Sequence, residues 1–333
     1  MARRRRGDTL AEIGEDRLLV GLMSELSSSP EVQVGPGDDC AAIRLGGRDW
    51  LWTCDAQIEG THFDRSWMSA RQLGRKAYLV NASDVAAMGG APRFCLVCIT
   101  APSSMARRDV LAMQRGMAAA AAADAAIIVG GNIARAGELG VTVSLLAEAP
   151  RSPLLRSGAE PGHAIYVSGR LGDAALGLAS LRRDRAAKGL AVRKFREPTP
   201  RLVAGRVLAD ERLASAVMDL SDGLLTDLKR LCDASGVGAR VEIPRLPMSR
   251  AVRAAGVALA LSGGEDYELL CAVPAQREDA LMSLRDDLGC SMTRVGVFTR
   301  ANEGLVLVEA DGSTRAARAA GFSHFGSVQR PTR

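Results

Sequence analysis

The chain has 333 residues, 47% of them hydrophobic and 24% charged, with a formal net charge of +5. This is the balance of a globular protein long enough for two domains and a substantial core. The positive excess is matched by the opening MARRRR, read as a solvated end, and with only 4% aromatic residues and no basic stretch interleaved with them a single-stranded nucleic-acid surface is not expected.

Apolar β-type runs alternate with helix-type runs along the whole chain, the pattern of α/β layers. In the first half the expected strands are EVQV, DWLWTCD, RFCLVCIT, AAIIVGG and GVTVSLLAEA, with helices over about 69–88 and 104–122. APRSPLLRSGAEPGH, at 149–163, gathers three prolines and two glycines and is the expected junction, dividing the chain into domains 1–150 and 151–333. The second half restarts with AIYVSG, followed by a helix near 172–184, an arginine-rich connection and a helix near 200–213. It continues through SAVMDLS, a helix from about 222, ARVEI, YELLCAV, a helix near 276–287, and the strands TRVGVFT and GLVLVEA. The connection at 181–197 sets seven positive charges against Asp184 and Glu197 and is expected to be mobile.

The seven cysteines are scattered. Cys95 and Cys98 of FCLVC fall on opposite faces of a strand, and no second pair completes a zinc site, so free thiols in a reducing cytoplasm are expected. No apolar leader opens the chain, and its most apolar helical stretch is alanine-rich and carries Asp124, so no membrane association is expected.

The charged residues of interest are acids placed where apolar runs meet turns or helix starts. GPGDDCAAI holds Asp38 and Asp39, WTCDAQIEGTHF holds Asp55, Glu59 and His62, and NASDVAAM holds Asp84. MDLSDGLLTDL holds Asp219, Asp222 and Asp227, and LSGGEDYELL holds Glu265 and Asp266. Each has a plain structural reading: Asp38 as a turn residue, Asp84 and Asp222 as helix caps, Asp227 as an exposed helix residue. Gathered in one place they would repel one another unless a cation offset them, and hard oxygen ligands select Mg²⁺ shared with substrate phosphates.

Other chemistries lack their residues. There is no GxxxxGK[ST] loop, no GxGxxG after a strand and no HRD or DFG pair, so a bound nucleotide has to be held through magnesium. His62, His163 and His324 are too widely spaced for a zinc hydrolase, and Ser221 stands between aspartates rather than in a GxSxG elbow.

In order, GDDCAAI, TCDAQIEGTHF, NASDVAAMGGAP, GGN, MDLSDGLLTDL, SGGEDYELL and the closing GFSHF resemble the thiamine-monophosphate kinase family, over residues 12 to 325. That family belongs to a wider group with aminoimidazole ribonucleotide synthetase, selenophosphate synthetase and a hydrogenase maturation protein. The resemblance implies a two-domain α/β (α+β) fold of the aminoimidazole ribonucleotide synthetase type. It also implies a homodimer whose N-terminal sheets pair into a barrel, and ATP-dependent phosphorylation of thiamine monophosphate to thiamine diphosphate. Carried over by position, Asp39, Asp55, Asp84 and Asp222 match the Mg²⁺-binding aspartates, with Asp219 joining them and the backbone of Thr53 and Cys54 nearby. Asp39, Asp84 and Asp222 are the residues expected to carry catalysis. Gly131 and Asn132 match a nucleotide-binding turn, Arg156 and Ser221 match ATP contacts, and His62, Glu265 and Phe322 match substrate contacts.

One departure stands out. Where the family carries GGDT this sequence carries GGNI, so Asn132 replaces a carboxylate with a neutral amide and leaves the metal count open. Two other readings stay open: another ATP-dependent enzyme of the wider group, and a nucleotide-binding homologue without catalysis.

Overall fold

The computed structural model describes residues 9–318 together with Gly321 and Phe322. The opening MARRRR and most of the closing GFSHF, His324 included, lie outside the described residues.

The first half runs α1 (Leu10–Ile13), α2 (Glu15–Ser24), β1 (Val32–Val34), β2 (Ala41–Leu45), β3 (Arg48–Ile58), α3 (Ala70–Ala87), β4 (Ala91–Ala101), α4 (Arg107–Ala123), β5 (Ile127–Arg135) and β6 (Gly140–Glu148). Its six strands form one sheet in the order β1-β2-β3-β6-β4-β5. β6 alternates buried and half-buried residues along its length, the period-two signature of a sheet covered on one face. Helices α3 and α4 supply that cover. They cross closely because Gly74 and Gly116 face the partner backbone: a Cβ on Gly74 would lie 1.9 Å from the Met113 carbonyl oxygen, and one on Gly116 would lie 2.0 Å from that of Arg71.

The second half runs β7 (Ala164–Ser168), α5 (Asp173–Arg183), α6 (Leu190–Arg196), α7 (Leu202–Asp210), β8 (Ala216–Asp219), α8 (Leu224–Ser235), β9 (Val237–Glu242), α9 (Arg250–Ala255), α10 (Ala258–Ser262), β10 (Leu269–Val273), α11 (Ala275–Ser283), β11 (Met292–Arg300), β12 (Leu305–Val308) and β13 (Thr314–Ala316). Its sheet has the order β13-β12-β9-β11-β7-β10-β8. Every residue of β7, β8 and β10 is buried, because apolar clusters pack on both faces of this sheet. The architecture is mixed α/β, two sheets with their helices.

Helix α3 sits where the halves meet, touching β3 and β6 on one side and α7 and β8 on the other. Ser69 caps its start in a reciprocal pair with Gln72: the Gln72 N–H donates to the Ser69 hydroxyl, and the Ser69 N–H donates to the Gln72 side-chain oxygen. Its end is set by Gly89 at φ +74°, after which the Gly90 N–H turns back to the Val85 carbonyl.

Several expectations are corrected here. The arginine-rich connection, expected as a link between two helices, itself contains a helix: Leu190–Arg196 forms α6, with Val192 and Phe195 buried and Arg196 donating to the Trp67 carbonyl at 2.5 Å. Two apolar side chains spaced three apart anchor it, while Lys194 reaches buried Glu268 at 3.7 Å and Arg193 is exposed. Gly131 and Asn132 lie inside the continuous strand β5, paired with Val97 and Cys98 of parallel β4, rather than in a turn. Asp227 is fully buried, not exposed. Asp84 lies in the last turn of α3, so it is no N-cap.

Candidate functional site: an acidic cleft between the halves

Three carboxylates meet at the junction. Asp39 leads into β2, Asp84 lies in the last turn of α3 and Asp219 ends β8, and one oxygen from each lies within 4.8 Å of the others. The first two come from the N-terminal half and the third from the C-terminal half. Thr53 on β3 donates to Asp84 Oδ2 at 2.6 Å, Ser83 donates to Asp219 Oδ2 at 2.7 Å, and Asn81 Oδ1 accepts the Asp55 N–H at 2.9 Å. Helix α3 thus orients acids on both sides of it through Asn81, Ser83 and Asp84.

The electrostatics of this cluster call for a cation. Burial pushes the Asp39 carboxyl up to about 6 despite the Arg156 guanidinium beside it. Burial raises Asp84 and Asp219 well above the ordinary carboxylate range, Asp84 further through Asp55, Asp219 and Asp39, and Asp219 further through Asp39. The position of Asp84 adds to the cost, since the C-terminal end of a helix is the negative end of its dipole. Arg156 donates to Asp39 Oδ1 through Nη2 at 2.5 Å and Nε at 3.2 Å, yet Asp39 Oδ2 is buried without a hydrogen-bond partner among the described residues. An unsatisfied carboxylate oxygen in an all-oxygen donor set fits a hard divalent cation such as Mg²⁺.

A cleft of about 620 Å³ adjoins this cluster through Asp55, whose charge acts on Asp84. Asp55, His62, Ser221, Asp222, Glu265 and Phe322 all line it. Asp222 is held by Arg230, whose Nη1 donates to Asp222 Oδ2 at 2.5 Å and to Asp227 Oδ1 at 3.0 Å. Asp227 in turn accepts the N–H groups of Asp222 and Gly223, both at 3.0 Å, which fixes the SDG turn from beneath. His62 Nδ1 accepts the Ile58 N–H at 3.1 Å, and its ring lies 6.4 Å from that of Phe322.

The GGEDYE segment distributes its acids to three tasks. Glu265 ion-pairs with Lys76 of α3 at 2.6 Å in the cleft wall. Asp266 accepts from the N–H groups of Gly172 at 2.7 Å and Ala174 at 3.4 Å at the start of α5, and burial pushes its carboxyl up to about 8. Glu268 is buried against Ser168, Arg201 and Lys194. Glu265 at φ +70° and Tyr267 at φ +49° hold left-handed conformations, each costing about 1–3 kcal/mol.

Not every expected residue joins this site. Cys54, expected to contribute its backbone alone, alternates with Thr53 and Asp55, so its side chain is on the other face of β3. Gly131 and Asn132 lie on the edge strand β5, where the register Asp55–Val143–Val97–Gly131 separates them from the acids by three strand spacings, roughly 14 Å. They line a second groove, of about 610 Å³, with Val97, Ile99 and Gln114. The sequence reading missed Lys76, Asn81, Ser83 and Arg230. Lys76 carried a signal: it lies three residues after Leu73 and four before Val80, on the apolar stripe of α3.

Comparison with known proteins places this geometry. Residues 37–149 match the family described as AIR synthase related protein, N-terminal domain, and residues 160–308 match its C-terminal domain. The chain is 36% identical over 339 residues to a thiamine-monophosphate kinase of Salmonella typhimurium, covering 94% of this chain and 99% of that one. It is 30% identical over 306 residues to the thiamine-monophosphate kinase of Bacillus subtilis, covering 88% and 94%. A solved structure described as AaThiL complexed with AMPPCP and TMP superposes with a TM-score of 0.83 at 30% identity, over 95% of this chain and 98% of that one. Hydrogenase maturation protein HypE in complex with ATP, at 20% identity and a TM-score of 0.69, shares the fold. The chain belongs to the AIR synthase related family and, within it, to the thiamine-monophosphate kinases.

Proposed function

We propose that the chain is a kinase that transfers the γ-phosphoryl group of ATP to thiamine monophosphate, giving thiamine diphosphate and ADP. The observation that carries this reading is the meeting of Asp39, Asp84 and Asp219 from both halves, next to a cleft walled by carboxylates, Asp55 among them, and aromatic rings.

The acceptor is a phosphate monoester, largely ionised near neutral pH because its second pKa is about 6. It needs no general base, and the obstacle is the approach of two polyanions. Asp39, Asp55, Asp84, Asp219 and Asp222 are the residues proposed to hold Mg²⁺, with the backbone of Thr53 and Cys54 alongside. Magnesium bound there neutralises phosphate charge and aligns an in-line displacement. Asp39, Asp84 and Asp222 carry that task most directly, Asp222 from the C-terminal half, where Arg230 steadies it. Arg156 and Ser221 are the proposed ATP contacts. His62, Glu265 and Phe322 are the proposed contacts to the thiamine moiety, the ring of Phe322 offering a stacking face and Glu265 a carboxylate acceptor.

Gly131 and Asn132 fit the nucleotide role through a dimer. Edge strand β5 exposes Ile127, Val129 and Ile133, an apolar face of the kind that a second copy of the sheet covers. In that homodimer, domain 1–150 supplies the barrel, the nucleotide groove and Asp39, Asp55 and Asp84, and domain 151–333 closes the cleft and adds Asp219 and Asp222 to the metal site. All seven cysteines are free thiols, which suits a cytoplasmic enzyme, and no helix among the described residues is long and apolar enough to cross a membrane.

The test is purified protein with ATP, Mg²⁺ and thiamine monophosphate, followed for thiamine diphosphate and ADP. Both products are expected in equal amounts. ADP release that requires a different acceptor, or ATP binding with no turnover, overturns the reading.

A further inference from the structure

We infer that Lys76 is a positioning residue: from helix α3 it fixes the side chain of Glu265, whose backbone the loop holds left-handed, and so sets one carboxylate oxygen in the cleft wall for the acceptor substrate. The inference rests on the kinase reading and adds to it a residue that touches neither reacting phosphate.

Lys76 is 0% exposed, a state lysine almost never occupies unless paired. Its ammonium lies 2.6 Å from Glu265 Oε2 and 3.9 Å from the ring centroid of Phe195. No other carboxylate is ion-paired with it among the described residues. The side chain therefore spans from the first half to the second, and both of its contacts are residues that line the cleft. Phe195 in turn packs edge-on against Trp67, another lining residue, at 6.3 Å between centroids.

Glu265 needs such a partner. At φ +70° it occupies backbone space that disfavours any residue with a Cβ, and Tyr267 at φ +49° repeats the strain two residues on. Backbone bonds hold the loop at its base, Glu265 N–H to the Ser221 carbonyl at 2.7 Å and Tyr267 N–H to the Leu220 carbonyl at 2.9 Å. Those bonds place the main chain but leave the side chain free to rotate. The ion pair removes that freedom by occupying Oε2, while Oε1 has no hydrogen-bond partner among the described residues and is left to accept an N–H from a ligand.

The same helix also fixes the acids. Lys76 and Asp84 are eight residues apart on α3, about 12 Å along its axis. One rigid element therefore sets the spacing between the carboxylate cluster and the substrate-facing Glu265, which is what an in-line transfer between two bound molecules demands.

The experiment is a double-mutant cycle on steady-state constants, with Lys76→Met, Glu265→Gln and the pair, each checked by thermal melting. Each single change is expected to raise KM for thiamine monophosphate at least ~10-fold, with KM for ATP changed less than ~2-fold. Lys76→Met is expected to add less than ~2-fold in the Glu265→Gln background, because its effect passes through Glu265. If Lys76→Met does not fold, Lys76→Gln, which keeps a donor, takes its place in the cycle. Multiplicative effects on KM, or equal loss for both substrates, would overturn the inference while leaving the kinase reading standing. A parent chain that forms no thiamine diphosphate removes both.

Discussion

Asp222 enters the cleft with Arg230 at 2.5 Å and with its own N–H anchored on buried Asp227, so its position is fixed before any ligand arrives. Asp222→Asn keeps the shape and the turn but removes the charge. Turnover is expected to fall at least ~100-fold, a loss of about 2.7 kcal/mol of transition-state stabilisation, with the melting temperature little changed. Near-normal turnover in a product assay would take Asp222 out of the metal set. The buried cluster makes a second prediction through pH. Asp39 is pushed up to about 6 from an ordinary 3.8, and Asp84 and Asp219 are raised further, in each case chiefly by burial. A raised carboxyl favours the protonated folded state, so without divalent cation the stability is full below about pH 4 and is lost as pH rises through about 6. For Asp39 alone the span is on the order of 3 kcal/mol. Mg²⁺ is expected to flatten this slope, and Asp84→Asn to flatten it in EDTA. Melting curves from pH 4 to 8 that have the same slope with Mg²⁺ as with EDTA would contradict the charge account.

At the scale of elements, the helices and strands with strong periodicity were legible and those built from short or charged segments were not. DWLWTCD and RFCLVCIT are strands because β-branched and aromatic residues fill them, YELLCAV supplies the fully buried apolar run Leu269–Val273, and the helix expected at 69–88 spans Ala70–Ala87. Strand β2, AAIRL, escapes the eye because it is short and alanine favours strands weakly. Helix α6 is hidden by its cations, and the left-handed residues that bend GGEDYE carry no glycine at 265 or 267. Strand β5 gives the prediction at this scale. Its edge exposes Ile133, so Ile133→Glu is expected to place a charge in the proposed dimer seam and yield a monomer with weakened ATP affinity. Size-exclusion chromatography with light scattering, together with ATP titration, checks both. An unaltered dimer with unaltered affinity would move the interface elsewhere.

Across the whole molecule, Asp39, Asp84 and Asp219 stand 39, 84 and 219 residues along the chain yet meet within 4.8 Å. The motifs around them supported a resemblance that implied the meeting. Periodicity and spacing could not, because the convergence is made by topology: α3 lies between β3 and β8 and presents Asn81, Ser83 and Asp84 to both. Asn132 shows the converse. Its motif matched a nucleotide contact, but within one chain the sheet carries it roughly 14 Å from the acids, a separation set by strand order alone. The central claim is that acids from both halves hold one divalent site. The most direct measurement is Mn²⁺ binding, followed by paramagnetic resonance in the presence of AMPPCP, for the parent chain, Asp84→Asn and Asp219→Asn. Each variant, altered on a different half, is expected to lose at least ~10-fold in Mn²⁺ affinity. Parent-like affinity in both would contradict the account.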